Sequence, residues 1–174
     1  MIYILKYIQE IDNRILKFIH KRFTNKFLDK VMPFVTACGD MGTIWIVIGT
    51  LLIIRKNYRH NGLMIFYALI LVSIIGEGII KNIVKRERPE HYIKGKELLI
   101  VEQRTYSFPS AHTASSFAVA TTLLGVNIYV SGIIILIAIL ISFSRLYLYV
   151  HYPSDVLGGI ILGISCGLII TKLF

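Results

Sequence analysis

Three short stretches of this 174-residue chain place ionisable side chains inside or at the ends of apolar runs. Charge in such places is expensive, so each one is a functional candidate by default. The first stretch holds Lys81, Lys85 and Arg88. Their i, i+4, i+7 spacing predicts one helical face near the end of its helix. Pro89 disfavours helix at Arg88 and should stop it there. Several fixed cations at one helical end suit a di-anionic phosphate. Ordinary snorkelling at a helix end is the competing reading, and for Lys85 alone it is the preferred one. Glu77, one turn before Lys81, reads as that lysine's ion-pair partner.

The second stretch is Ser107-Phe108-Pro109-Ser110-Ala111-His112, followed by Thr113-Ala114-Ser115-Ser116 and an apolar run. A Ser after Pro at a helix start leaves backbone N–H groups pointing outward, an anion site. His112 in that first turn could protonate a leaving-group oxygen, although a lone His near a membrane interface is more often structural. The third stretch is Ser144-Arg145, five residues, His151, three residues, Asp155. A carboxylate near an imidazole fixes its tautomer and leaves the other nitrogen free to attack. Arg145 offers a planar fork for phosphate oxygens. With no Ser or Cys nucleophile close by, the pair points to the histidine itself as nucleophile. Metal ligation competes, but only two histidines fall at site positions and no His/Asp/Glu cluster accompanies them, so no metal is expected.

These residues need elements to position them, and composition says what kind. The chain is 55% hydrophobic with a mean hydropathy of +0.68, too apolar for an ordinary soluble fold. Five apolar spans are expected near 41–54, 62–84, 108–126, 131–149 and 154–174, several of them close to the ~20 residues a crossing helix needs. The third and fourth, joined by the short turn 127–131, should pack as an antiparallel pair. Residues 1–22 carry Ile4, Ile8, Ile11, Ile15, Phe18 and Ile19 at helical spacing among charges, which suits a helix in the membrane interface. No cleavable signal is expected there. Residues 27–38, around Pro33, form an apolar piece too short to span alone. The expected fold is therefore an all-α integral membrane helical bundle: an N-terminal segment over 1–40, interfacial or a sixth span, then a membrane-embedded domain over 41–174.

The excess of 19 basic over 10 acidic residues would suggest nucleic acid in a soluble protein. In loops and flanks of apolar spans it suits contact with anionic headgroups instead, and no nucleic-acid partner is expected. Arg55, Lys56, Arg59 and Lys172 mark cytoplasmic ends. Counting spans then puts 85–107 and 150–154 together on the extracytoplasmic side of a multi-pass cell-membrane protein. Cys38 and Cys166 fit neither a disulfide framework nor a metal site and read as packing residues.

Taken together, the three stretches resemble the tripartite signature of the type-2 phosphatidate phosphatase superfamily, the lipid phosphate phosphatases related to vanadium haloperoxidases. That signature is Lys, six residues, Arg-Pro; then Pro-Ser-Gly-His; then Ser-Arg, five residues, His, three residues, Asp. The chain has Lys81 to Arg88-Pro89, Pro109-Ser110-Ala111-His112, and Ser144-Arg145 to His151 to Asp155. Ala111 replaces the usual Gly, a change that a helical first turn accepts. The resemblance covers about residues 40–174. It implies a lipid phosphatase without cofactor, in which His151 attacks phosphorus and forms a phosphohistidine, Asp155 orients it, and His112 protonates the departing oxygen. Lys81, Arg88, Ser110, the Ala111 amide and Arg145 would hold the phosphoryl oxygens, while Glu77 and Lys85 stay outside the signature. The small scaffold and extracytoplasmic site look like those of the small bacterial undecaprenyl diphosphate phosphatases. Phosphatidylglycerophosphate or phosphatidic acid follows as substrate, and lipid A phosphate is third. Five apolar spans argue against the soluble haloperoxidases. The complete signature argues against a non-enzymatic transport or assembly protein.

Overall fold

The computed structural model describes residues 2–92, 99–101, 103 and 105–174. Residues 93–98, 102 and 104, which carry part of the basic content of the expected loop 85–107, lie outside the described residues. The helices are α1 (Ile2–Phe23), α2 (Lys26–Gly39), α3 (Thr43–Ile54), α4 (Arg59–Val72), α5 (Lys81–Val84), α6 (Ala111–Thr122), α7 (Ile128–Tyr147) and α8 (Pro153–Leu173). A π-helical segment, Ser73–Ile80, joins α4 to α5.

Among the described residues, four helical stretches are long and apolar enough to cross a membrane: Lys26–Ile54, Lys56–Val84, Ile128–Tyr147 and Pro153–Leu173. The first is assembled from α2 and α3, which the sequence separates into a short piece and a span. They meet at the tight turn Asp40–Gly42, where Met41 and Gly42 have φ of 51° and 71°. The expected span 108–126 differs more. It is helical only over Ala111–Thr122, 12 residues. At 1.5 Å per residue that is ~18 Å, short of the ~30 Å hydrocarbon core. None of its residues is exposed. α6 is an inner helix, and its Ser and Thr content suits a protein interior better than lipid.

α6 is the hub of the bundle. Val119 and Leu123 pack with Trp45 of α3, Ile65 of α4, and Ile134 and Ile141 of α7. On its other side Ala114 and Ala118 pack with Met64, Ala68, Val72 and Cys166. Trp45 Nε1 donates to Ser116 Oγ at 3.1 Å, so even its polar atom is satisfied in the core. Against α8 the approach is closest. Gly159, Gly163 and Gly167 line up every fourth residue, and a methyl on any of them would run into the carbonyl oxygens of Ser110, Ala114 and Ala118. Such a stripe of small residues lets two membrane helices touch along their backbones.

The expected antiparallel pairing of α6 with α7 is present. Asn127 caps α7, its Oδ1 accepting from Tyr129 N at 2.9 Å and Val130 N at 3.4 Å. Ser131 falls inside the helix, where its hydroxyl donates back to the Leu123 carbonyl at 2.9 Å. At the same end of the bundle Phe174 stacks on Tyr67, ring centroids 4.7 Å apart.

α1 is helical as its periodicity predicts, but it packs through a different face. Ile8, Ile11, Ile15 and Phe18 are exposed, whereas Asp12, Leu16 and Ile19 are buried. The apolar stripe points away from the protein, as a membrane-facing surface would, and the face turned inward carries a charge.

Candidate active site

Of the signature residues, Lys81, Arg88, Ala111, His112, Arg145 and His151 line a cavity of about 420 Å³ at one end of the bundle, and Ser110 and Asp155 stand behind its wall. Lys81 begins α5 and is buried, its Nζ 2.5 Å from Glu77 Oε1, the ion pair the sequence suggests. The wide turns of the π segment place Val72, Gly76, Glu77 and Lys81 along this wall. The predicted helical face through Lys85 and Arg88 does not exist. α5 ends at Val84, four residues before the expected stop, and Lys85 takes a left-handed conformation with φ 47° and stays exposed. Arg88 reaches the site from non-helical backbone.

Arg88 is held on every side. Its Nε donates to the Thr105 carbonyl at 2.7 Å, Nη2 to Thr105 Oγ1 at 3.0 Å, and Nη1 to the Val150 carbonyl at 2.8 Å. Nη1 also lies 3.1 Å from His151 Nε2. An arginine has only donors, so Nε2 is the acceptor and the ring proton sits on Nδ1. His151 occupies the turn between α7 and α8, where Tyr149 turns the chain with φ 63°. Its ring is almost fully buried among Arg88, Arg145 and Lys81. Burial first, and then those cations, push its pKa well below the ordinary histidine value, so the ring is neutral.

Asp155 lies one turn into α8. Its Oδ2 accepts from Tyr152 N at 2.8 Å and stands 3.5 Å from His151 Nδ1, longer than a good hydrogen bond. Arg145, 1% exposed, donates through Nη1 to Thr36 Oγ1 of α2. Its Nε is buried without a hydrogen-bond partner among the described residues. Arg145 also lines the cavity.

Ser110 caps α6 and is fully buried, its amide donating to the Asp155 carbonyl at 3.0 Å and its hydroxyl accepting from Thr113 Oγ1 at 3.1 Å. It stands one residue behind the cavity wall, which Ala111 and His112 form. The amides of that first turn have no intrahelical acceptors. His112 is less enclosed than His151, and its Nε2 is 2.7 Å from Asp40 Oδ1 in the α2–α3 turn.

The sequence reading did not single out Asp40, Thr36, Thr105 or Arg86. Asp40 carried a usable signal, being a charge at the mouth of the apolar run 41–54. Thr36 and Thr105 carried none. Arg86 is hidden in a basic run between Lys85 and Arg88, yet it donates to Asp155 Oδ1 at 2.7 Å. Opposite the polar end, the cavity is walled by Leu69, Val72, Pro109, Ala114 and Leu162, with the exposed Met41 at its rim. A cationic floor with an apolar wall fits a phosphate carried on a hydrophobic body.

Three cations and two histidines, each with a carboxylate nearby, at one end of a helical bundle suit phosphoryl chemistry in a membrane protein. The chain belongs to the PAP2 superfamily, whose family model matches residues 61–174, and it is a multi-pass membrane protein. It is 32% identical over 139 residues to an undecaprenyl-diphosphatase of Sulfolobus acidocaldarius, covering 78% of this chain and 66% of that relative. It is 28% identical over 176 residues to a lipid A 4'-phosphatase of Bacteroides thetaiotaomicron, covering 91% and 75% of the two chains. The crystal structure of Aquifex aeolicus LpxE superposes with a TM-score of 0.79 at 27% identity, covering 91% of this chain and 93% of that one.

Proposed function

We propose that the chain hydrolyses undecaprenyl diphosphate to undecaprenyl phosphate on the extracytoplasmic face, through a phosphohistidine on His151 and without a metal. One observation carries this reading. His151 turns Nε2 toward the cationic end of an apolar-walled cavity while its Nδ1 faces a buried carboxylate. The terminal phosphoryl group would enter among Lys81, Arg88 and Arg145 and take over the Arg88 Nη1 donor. That frees the Nε2 lone pair. Nε2 then bonds to phosphorus, the bridging P–O bond breaks, and the leaving phosphate departs past His112, which supplies a proton where one is needed. Asp155 offsets the positive charge that develops on the His151 ring, and the fixed cations hold the phosphoryl oxygens as charge moves. Water, deprotonated by His112, completes hydrolysis. The three cations supply the charge that metal ions supply in other phosphoryl transfers.

The undecaprenyl substrate is supported by likeness to the Sulfolobus relative. Lipid A phosphate is the second reading, supported by likeness to the Bacteroides phosphatase. Purified protein in detergent, assayed with chelator against undecaprenyl diphosphate, lipid A, phosphatidylglycerophosphate and phosphatidic acid, separates these. Fastest turnover of undecaprenyl diphosphate is expected. Release from none of them overturns the enzyme reading, and loss of release on adding chelator overturns the metal-free mechanism.

A further inference from the structure

Behind Asp155, on the side away from the cavity, lies a second charged cluster that the mechanism above does not use. Arg86 Nη1 donates to Asp155 Oδ1 at 2.7 Å and to Ser154 Oγ at 2.6 Å. Its Nη2 donates to Asp12 Oδ2 at 2.6 Å and to Gln9 Oε1 at 2.7 Å. The guanidinium lies 4.1 Å over the Tyr152 ring. Asp12 returns the grip: Oδ1 accepts from Ser154 N at 2.9 Å and Oδ2 from Ser154 Oγ at 2.5 Å. One arginine thus bridges two buried carboxylates, one on α1 and one beside the nucleophile.

Asp12 is out of place by the logic of its helix. The charged side chains of α1 on either side of it, Glu10, Arg14 and Lys17, are exposed, and an apolar residue at 12 would continue the buried face of Leu16 and Ile19. Buried ion pairs are weak contributors to stability, so packing alone gives little reason for this one. What it does control is the orientation of Asp155. With Oδ1 committed to Arg86 and Oδ2 to Tyr152 N, the carboxylate cannot rotate, and Oδ2 is the oxygen left facing His151 Nδ1.

We propose that Arg86 and Asp12 are positioning residues, which lock the Asp155 carboxylate toward His151 and make α1 part of the catalytic apparatus without touching substrate. The proposal rests on the reading of His151 as nucleophile. Loss of the lock leaves the phosphate-binding cations in place but lets the orienting carboxylate turn. Ground-state binding is then unaffected, and only the transition state suffers.

The test compares wild type with Arg86→Gln, Asp12→Asn, the charge-balanced double variant and His151→Ala. Each is assayed for kcat and KM, for inhibition by inorganic phosphate, and for inhibition by vanadate as a transition-state mimic. The expected result is a kcat lowered about 100-fold in Arg86→Gln and about tenfold in Asp12→Asn. KM and phosphate inhibition stay within about twofold of wild type, while vanadate inhibition weakens in step with kcat. Arg86→Lys should recover part of the loss. The double variant removes one charge of each sign, so it keeps the comparison open if the single arginine variant does not fold. Wild-type vanadate affinity in the folded variants, or a loss tracking only thermal stability, overturns the proposal. An active His151→Ala overturns the nucleophile reading and the proposal with it. Inactive His151→Ala beside fully active Arg86 variants overturns the proposal alone.

Discussion

His151 and Asp155 are four residues apart, on the turn into α8, and both side chains are at most 2% exposed. His112 and Asp40 are 72 positions apart, joined across α6 and the α2–α3 turn, and the Asp40 side chain is 61% exposed. The first pair is enclosed by arginines and a lysine, whereas in the second His112 lines the cavity with its side chain 14% exposed and Asp40 meets solvent. The difference follows the work each is assigned. A nucleophile must stay neutral and aimed, which burial and fixed cations enforce. The proposed proton carrier His112 must exchange with a leaving group and then with water, and it lines the cavity that both would enter.

The comparison breaks most visibly at the nucleophile. His151→Ala should lose activity by about 10⁴-fold or more and form no acid-labile phosphoenzyme in rapid-quench experiments with labelled substrate. Normal turnover would move the role elsewhere. His112→Ala should depend on the substrate. A phosphate monoester, with its poor alkoxide leaving group, should slow about 10²- to 10³-fold. A lipid diphosphate, whose leaving group is itself a phosphate, should slow far less. Equal losses on both would remove His112 as the acid. Asp40→Asn deletes one charge-assisted hydrogen bond and should cost about tenfold in the monoester reaction, with phosphate inhibition unchanged.

The smallest expected effect is a pH dependence. An ordinary imidazole would lose about 25-fold of its neutral form between pH 7 and pH 5. The pKa of His151 is held well below that value by burial and by Arg88, Arg145 and Lys81, so its reactive neutral form persists as pH falls. Single-turnover phosphoenzyme formation from a diphosphate should therefore fall less than about threefold over the same range. An acid limb centred near the usual histidine value would contradict the enclosed nucleophile.

The two pairs also differ in how far they could be read from the chain. The pairing of His151 with Asp155 is local: their spacing, the proline between them and the helix start. The same holds for Lys81 with Glu77. Asp40 meets His112 only because α2 and α3 bend at Met41 and Gly42, a turn that the apolar pattern around it conceals. Arg86 looks like any juxtamembrane base until α1 delivers Asp12 to it. Apolar runs located the long helices well, but periodicity could not show that Lys85 would turn left-handed and break the predicted cationic face. Nor could the apolar run 108–126 show that its helix would extend only over Ala111–Thr122.

α6 has a bearing on how the molecule is made. With no exposed residue and a run of Ala, Ser and Thr, it has little of its own to offer to lipid hydrocarbon. Its companions α7 and α8 emerge later during synthesis, and the glycine stripe that receives it lies on α8. A nascent chain without α8 lacks the surface against which α6 packs most closely. Docking of α8 thus does two things at once, shielding α6 from the bilayer and setting Asp155 beside His151 at the cavity.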